Sequence, residues 1–202
     1  VNFEYFTELL GTTVFAISGA LAVRKMKVDW LGAAFTGFIT AIGGGTLRDV
    51  LLDAHPLGWI RDGNVLFAVL AGLVLTFLFY NVLENLSKTL VLFDTLGIAL
   101  FTILGTEKAL NLDVSPPIAI IMGMFSAIMG GVIRDTLTNR TPVLFRKEIY
   151  ASPCLLGAML FALFHYYAWP RDLAALIGIV FIVTTRLLAV KFEWTLPSYD
   201  DS

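Results

Sequence analysis

The sequence predicts an all-α membrane protein: seven transmembrane helices, arranged as two inverted three-helix repeats plus one C-terminal helix. Three observations carry this. The composition is apolar, with 57 % of the 202 residues hydrophobic and 15 % charged and a mean hydropathy of +0.81; a soluble domain holds about 25 % charged residues. Seven apolar stretches each approach the roughly 20 residues that a spanning helix needs. An ungapped internal match at an offset of 86 positions links the two halves.

The first apolar stretch covers about 5–23 and stops at Arg24-Lys25-Met26-Lys27. The second covers about 30–52 and contains Gly43-Gly44-Gly45, and the turn His55-Pro56-Leu57-Gly58 follows. The third runs from about 63 to 83, before the polar link Glu84-Asn85-Leu86-Ser87-Lys88. The fourth spans about 90–110. Ser115-Pro116-Pro117 opens the fifth, where proline suits a first helical turn, and Asn139-Arg140-Thr141-Pro142 closes it. The sixth runs from about 151 to 169 and the seventh from about 173 to 190. No link is long enough for a second domain, so 1–202 reads as a single transmembrane domain. Repeat 1 covers about 5–83, repeat 2 about 90–169 and the extra helix about 173–190. Glu4 and Glu8 stand where a cleavable signal peptide has basic residues, so none is expected.

Lysine and arginine set the orientation. With the N-terminus on side A, that side carries Arg48, Arg61, Lys108 and Arg171, and side B carries the other ten of the 14 basic residues. Side B is therefore expected to be cytoplasmic, with the N-terminus outside and the C-terminus inside. Leaving out Arg48, Arg134 and Arg186, which fall within apolar stretches, keeps the bias.

The internal match falls at informative residues. It pairs Gly11 with Gly97, Phe15 with Phe101, Gly19 with Gly105, Gly37 with Gly123, Gly44 with Gly130, Gly45 with Gly131, Arg48 with Arg134, Asp49 with Asp135, Pro56 with Pro142 and Tyr80 with Tyr166. Glu8 pairs with Asp94 in chemistry. Three crossings per unit force the second unit to enter from the opposite side, so the repeats are inverted.

Each repeat carries Gly-Gly-x-x-Arg-Asp inside a spanning stretch. Glycine in a helix interior costs about 1 kcal/mol relative to alanine. Helix breaks are therefore expected at Gly43, Gly44 and Gly45 and again at Gly130 and Gly131, with freed backbone groups lining a midplane site. The plainer use of such glycines is close helix packing. An arginine or aspartate at the bilayer centre costs roughly 2.5–3.5 kcal/mol, so partners are expected. Depth suggests Glu8 with Arg48 and Asp94 with Arg134, and Asp49 and Asp135 are available as second acceptors; the alternative is that these charges snorkel to the headgroups. Thr13, Ser18, Thr102 and Thr106 could line a path or bond their own helix backbone. Glu107 and Lys108 depart from the repeat, standing opposite Leu21 and Ala22.

Other chemistries are excluded. A net charge of −2 offers no nucleic-acid partner, and one cysteine, Cys154, rules out an internal disulfide and a thiolate metal cluster. No catalytic residues, metal site or cofactor is expected, and no phosphate loop, zinc motif or dinucleotide fingerprint is present.

The doubled Gly-Gly-x-x-Arg-Asp within a three-plus-three-plus-one pattern resembles the trimeric intracellular cation (TRIC) channels, above all their prokaryotic branch, over about residues 3–192. Related sequences also carry a glycine-transporter-type label. The resemblance implies a homotrimer in the lipid bilayer, with a pore in each protomer conducting monovalent cations such as potassium or sodium. It frames that pore with the first, second, fourth and fifth helices, and so with Gly43, Gly44, Gly45, Arg48, Asp49, Gly130, Gly131, Arg134 and Asp135. It also implies a prokaryotic inner membrane. Animal members have Lys-Glu-Val in the second helix and a basic tail, whereas this chain has an acidic Asp200-Asp201. The alternative is a secondary transporter of a small amino acid such as glycine, which inverted repeats would also suit.

Overall fold

A computed structural model describes residues 3–24, 26–79 and 89–195. The helices are α1 (Phe3–Ala22), α2 (Trp30–Leu51), the one-turn α3 (Gly58–Arg61), α4 (Asn64–Leu78), α5 (Thr89–Asn111), α6 (Pro116–Leu137), α7 (Ala151–Tyr166) and α8 (Arg171–Lys191). A 3₁₀ turn, Val143–Phe145, lies between α6 and α7. Five helices of 20–23 residues are long and apolar enough to span a bilayer. α4 and α7 are shorter, at 15 and 16 residues. The sixth stretch therefore ends before the expected 169: Tyr167 closes α7 and Ala168 turns left-handed at φ 53°. Tyr80 and the expected end of the third stretch lie outside the described residues.

Local chemistry sets the ends. The Asp29 carboxylate accepts from the Gly32 amide at 2.7 Å and caps α2. Pro116 and Pro117 open α6 without losing a needed donor. Asp53 (φ 52°) ends α2 and Asn139 (φ 51°) ends α6. These residues tolerate the left-handed conformation that stops a helix, and they too stand 86 positions apart.

α1 and α5 form the centre. α1 packs on α2 and α4, and α5 packs on α6 and α7, while α1 meets α5 and α2 meets α6 across the two halves. α8 lies against α5 and α7. The contacts between halves are reciprocal. The Phe15 ring fills the place of a side chain on Gly97, and the Phe101 ring covers Gly11. The Cβ position of Gly44 overlaps the Ser126 carbonyl, and that of Gly130 lies 2.7 Å from the Thr40 carbonyl. Thr40 and Ser126 also stand 86 positions apart.

The expected helix breaks are not there. α2 is continuous through Gly43, Gly44 and Gly45, and α6 through Gly130 and Gly131. Their carbonyls stay in the helical ladder and are not freed toward a midplane site. The reason is packing. Two helices whose backbones touch at Gly44 and Gly130 recover in dispersion what glycine loses in propensity, and a side chain at Gly44 would force them apart.

Candidate permeation pathway and its ion pairs

The side-A ends of α1, α2, α5 and the α2–α4 link surround a cleft. Its outer part, about 290 Å³, is lined by Glu4, Glu8, Arg48, Arg61, Asp62 and Lys108 among others. A second void of about 30 Å³, sharing Glu8, Arg48 and Gly58 with it, is bordered by Thr12, Gly45, Thr46, Asp49 and Phe101. A space of that size holds a water molecule or two. The Trp59 indole donates to Thr46 Oγ1 at 3.1 Å and closes one wall.

Arg48 and Asp49 sit at the inner end, 6 % and 2 % exposed. Arg48 Nη2 lies 2.7 Å and Nε 2.8 Å from Asp49 Oδ1. Lys108 Nζ reaches the same oxygen at 2.8 Å. Asp49 Oδ2 accepts from the Gly58 amide at 3.2 Å, which ties the link to α2. The expected Glu8–Arg48 pair does not form. Glu8 faces the same cleft and, among the described residues, has no cation in direct contact; Arg48 and Lys108 act on it only from farther away. Lys108 has no counterpart in the first repeat, where Ala22 stands. Asp49 is the focus of two cations, Arg48 and Lys108, and both also lie within electrostatic reach of Glu8.

Side B repeats the arrangement in a tighter form. Arg134 is fully buried. Its Nη1 donates to Asp94 at 2.6 Å and to Ser18 at 2.7 Å, and its Nε donates to Asp135 at 2.9 Å. The structure thus forms an Asp94–Arg134 pair. Asp135 Oδ2 accepts from the Val143 amide at 3.1 Å, repeating Asp49 and Gly58. In both halves, then, the arginine holds the next residue and that carboxylate holds the following link.

The remaining hydroxyls divide. Ser18 joins the Arg134 cluster. Thr13 bonds the Leu9 carbonyl at 2.9 Å and the Ala68 carbonyl at 3.1 Å. Thr106 bonds the Thr102 carbonyl at 2.8 Å, and both residues are buried where α5 crosses α6 at Gly123. Thr13 and Thr106 thus use their hydroxyls on backbone. Gly45 borders the cleft, Gly43 meets the Ile133 side chain, and Gly44, Gly130 and Gly131 are packed. Sequence reasoning did not single out Tyr150 or the partners of Arg186. Nothing in an apolar pattern announces which loop residue folds inward.

The chain matches the family described as glycine transporter over residues 5–81 and again over 91–166. It is 36 % identical over 197 residues to the inner membrane protein YadS of Escherichia coli K12, covering 96 % of this chain and 95 % of that one. A membrane protein of Bacillus subtilis, YvgT, is 30 % identical over 192 residues, covering 94 % and 93 %. The crystal structure of the TRIC trimeric intracellular cation channel orthologue from Rhodobacter sphaeroides superposes with a TM-score of 0.90 at 32 % identity, over 96 % of this chain and 100 % of that one. This chain belongs to the prokaryotic TRIC channel family. Another prokaryotic TRIC channel, crystallised in 0.5 M KCl, matches with a TM-score of 0.86 at 26 % identity over 96 % and 98 %. TRIC proteins are membrane proteins, not enzymes. The TRIC fold also accounts for α8, which stands outside the two matched segments.

Proposed function

We propose that the chain is a cation channel of the bacterial inner membrane that assembles as a homotrimer, with a separate path for monovalent cations, potassium or sodium, in each protomer. One observation carries the reading: the arginines of the repeated motif are matched by carboxylates. Arg48 lies 2.7 Å from Asp49, and Arg134 lies 2.6 Å from Asp94 and 2.9 Å from Asp135. The side-B cluster holds one cation and two carboxylates, which favours a passing cation. An uncompensated arginine at that depth would favour an anion.

The path enters the side-A cleft past Glu8 and runs between α1, α2, α5 and α6 toward Arg134. Because the helices are unbroken, side chains rather than freed carbonyls meet the ion. Glu8, which lines both the outer cleft and the inner void, is the carboxylate an entering cation meets on its way inward. The likeness to the cation channel orthologue of Rhodobacter sphaeroides, described as trimeric, supports the same reading, and YadS is described as an inner membrane protein. The excess of basic residues on side B supports an external N-terminus and a cytoplasmic C-terminus. The twice-matched family segment supports two repeats related by about 180° around an axis in the membrane plane.

Single-channel recording in planar bilayers under a potassium chloride gradient tests the reading. Unitary currents should reverse toward the potassium potential, and cross-linking in the membrane should end at a trimer. The family description favours a second reading, transport of a small amino acid. Saturable, coupled glycine uptake without unitary currents would select it.

A further inference from the structure

The two mouths differ at equivalent glycines. Around the Cβ position of Gly45 the nearest atom is Arg48 Nη2 at 3.7 Å, and that space belongs to the side-A cleft. Around the Cβ position of Gly131 stand the Tyr150 hydroxyl at 2.7 Å, Asp94 Oδ1 at 3.4 Å and Arg134 Nη2 at 3.6 Å. Tyr150 occupies on side B the space left open on side A. It belongs to the link before α7 and is 2 % exposed, and its hydroxyl is buried without a hydrogen-bond partner among the described residues. A buried donor without a partner is unfavourable, so something else holds the ring there.

That group is Arg186 of α8, itself 2 % exposed. Its guanidinium lies 5.0 Å from the centre of the Tyr150 ring. Its Nη1 donates to the Ile149 carbonyl at 2.7 Å, and its Nη2 donates to Glu148 at 2.9 Å. One residue of the helix outside the repeats therefore grips three consecutive residues of the side-B link. The chain beyond α8 joins in, since Thr195 pairs with Glu148 in an antiparallel bridge.

We propose that α8 is a latch: Arg186 holds Tyr150 across the side-B mouth, and the path opens there only when Tyr150 leaves. The proposal rests on the channel reading, because it concerns the same path. It also gives the unrepeated helix a task that the symmetric pair cannot perform.

Cysteine accessibility tests it independently of current. Cys154 is the only cysteine, so Cys154→Ala with Ser18→Cys places one thiol beside Arg134. In liposomes, an impermeant cationic methanethiosulfonate supplied at side B should label it slowly. Adding Arg186→Gln should raise the rate about tenfold, equivalent to ~1.4 kcal/mol. Adding Tyr150→Ala, which changes no charge and removes the ring while Arg186 keeps Ile149 and Glu148, should also raise it, since nothing then covers the space at Gly131; this variant decides the matter if Arg186→Gln fails to fold. Rates within about twofold of the parent in both, a difference under ~0.4 kcal/mol, would overturn the latch. Faster labelling with no unitary currents in any variant would keep the latch and remove the channel reading. Parent currents with unchanged labelling would keep the channel and remove the latch.

Discussion

Phe15 and Phe101 stack ring on ring, their centroids 5.3 Å apart and their planes 8° from parallel. They are equivalent residues of the two halves, and each covers a glycine of the other half. The fit is not equally tight: the Phe15 ring overlaps the Cβ position of Gly97, whereas the nearest Phe101 atom stands 3.2 Å from that of Gly11.

A methyl group should therefore be costlier at Gly97 than at Gly11. Overpacking a tight core costs about 1–3 kcal/mol, and Gly97→Ala is expected at the upper end. Thermal unfolding in detergent would measure both variants. Equal midpoints would show that the ring pair does not set the approach of α1 to α5.

The same logic separates the glycine triplet. Gly44→Ala would drive a methyl into the Ser126 backbone, while Gly45→Ala meets only a side-chain end at 3.7 Å. Gly44→Ala should destabilise by about 1–3 kcal/mol. Gly45→Ala should be neutral or stabilising by up to about 1 kcal/mol, since alanine is the better helix former. If both substitutions proved equally harmful, the glycines would be serving flexibility and not contact.

Asp94→Asn tests the buried cluster. Removing one partner of a buried ion pair costs about 3–5 kcal/mol, because a charge is left uncompensated. Asp135 remains 2.9 Å from Arg134, so the lower end is expected. Cation conductance should fall and the reversal potential should shift toward chloride. Adding Arg134→Gln should recover part of both. Glu8→Gln, which breaks no direct salt bridge among the described residues and removes only the longer-range attraction of Arg48 and Lys108, should cost no more than about 1 kcal/mol while lowering conductance. A large stability loss in Glu8→Gln would mean that Glu8 is structural.

Ala168 ends α7 at φ 53° and is exposed. Alanine pays for the left-handed conformation, and glycine does not. Ala168→Gly should raise stability by about 1 kcal/mol, less the entropy glycine adds to the unfolded chain. A lower unfolding midpoint in this variant would argue against the αL termination.

Much of the arrangement was legible in the chain because hydropathy and the offset of 86 are properties of order along it. The placement of Arg134 with Asp94 followed from depth: both lie about one turn from a helix end on the same side. The failed pair, Glu8 with Arg48, obeyed the same depth rule. What depth cannot reveal is which carboxylate the guanidinium turns to, and Arg48 lies 2.7 Å from Asp49, its own neighbour in the chain.

The sequence by itself determined the helical class, the membrane habitat, the duplication and the need for carboxylates beside Arg48 and Arg134. Burying a charge in hydrocarbon is so unfavourable that a partner of opposite charge is required, though the sequence does not say which one. Tertiary structure alone decided whether the glycines break or pack, since the propensity cost of about 1 kcal/mol per glycine is small beside the contacts of two touching helices. It also decided that Tyr150 turns inward under Arg186. That choice depends on a guanidinium 36 positions away in the chain, brought to within 5.0 Å of the ring by the packing of α8 against α7.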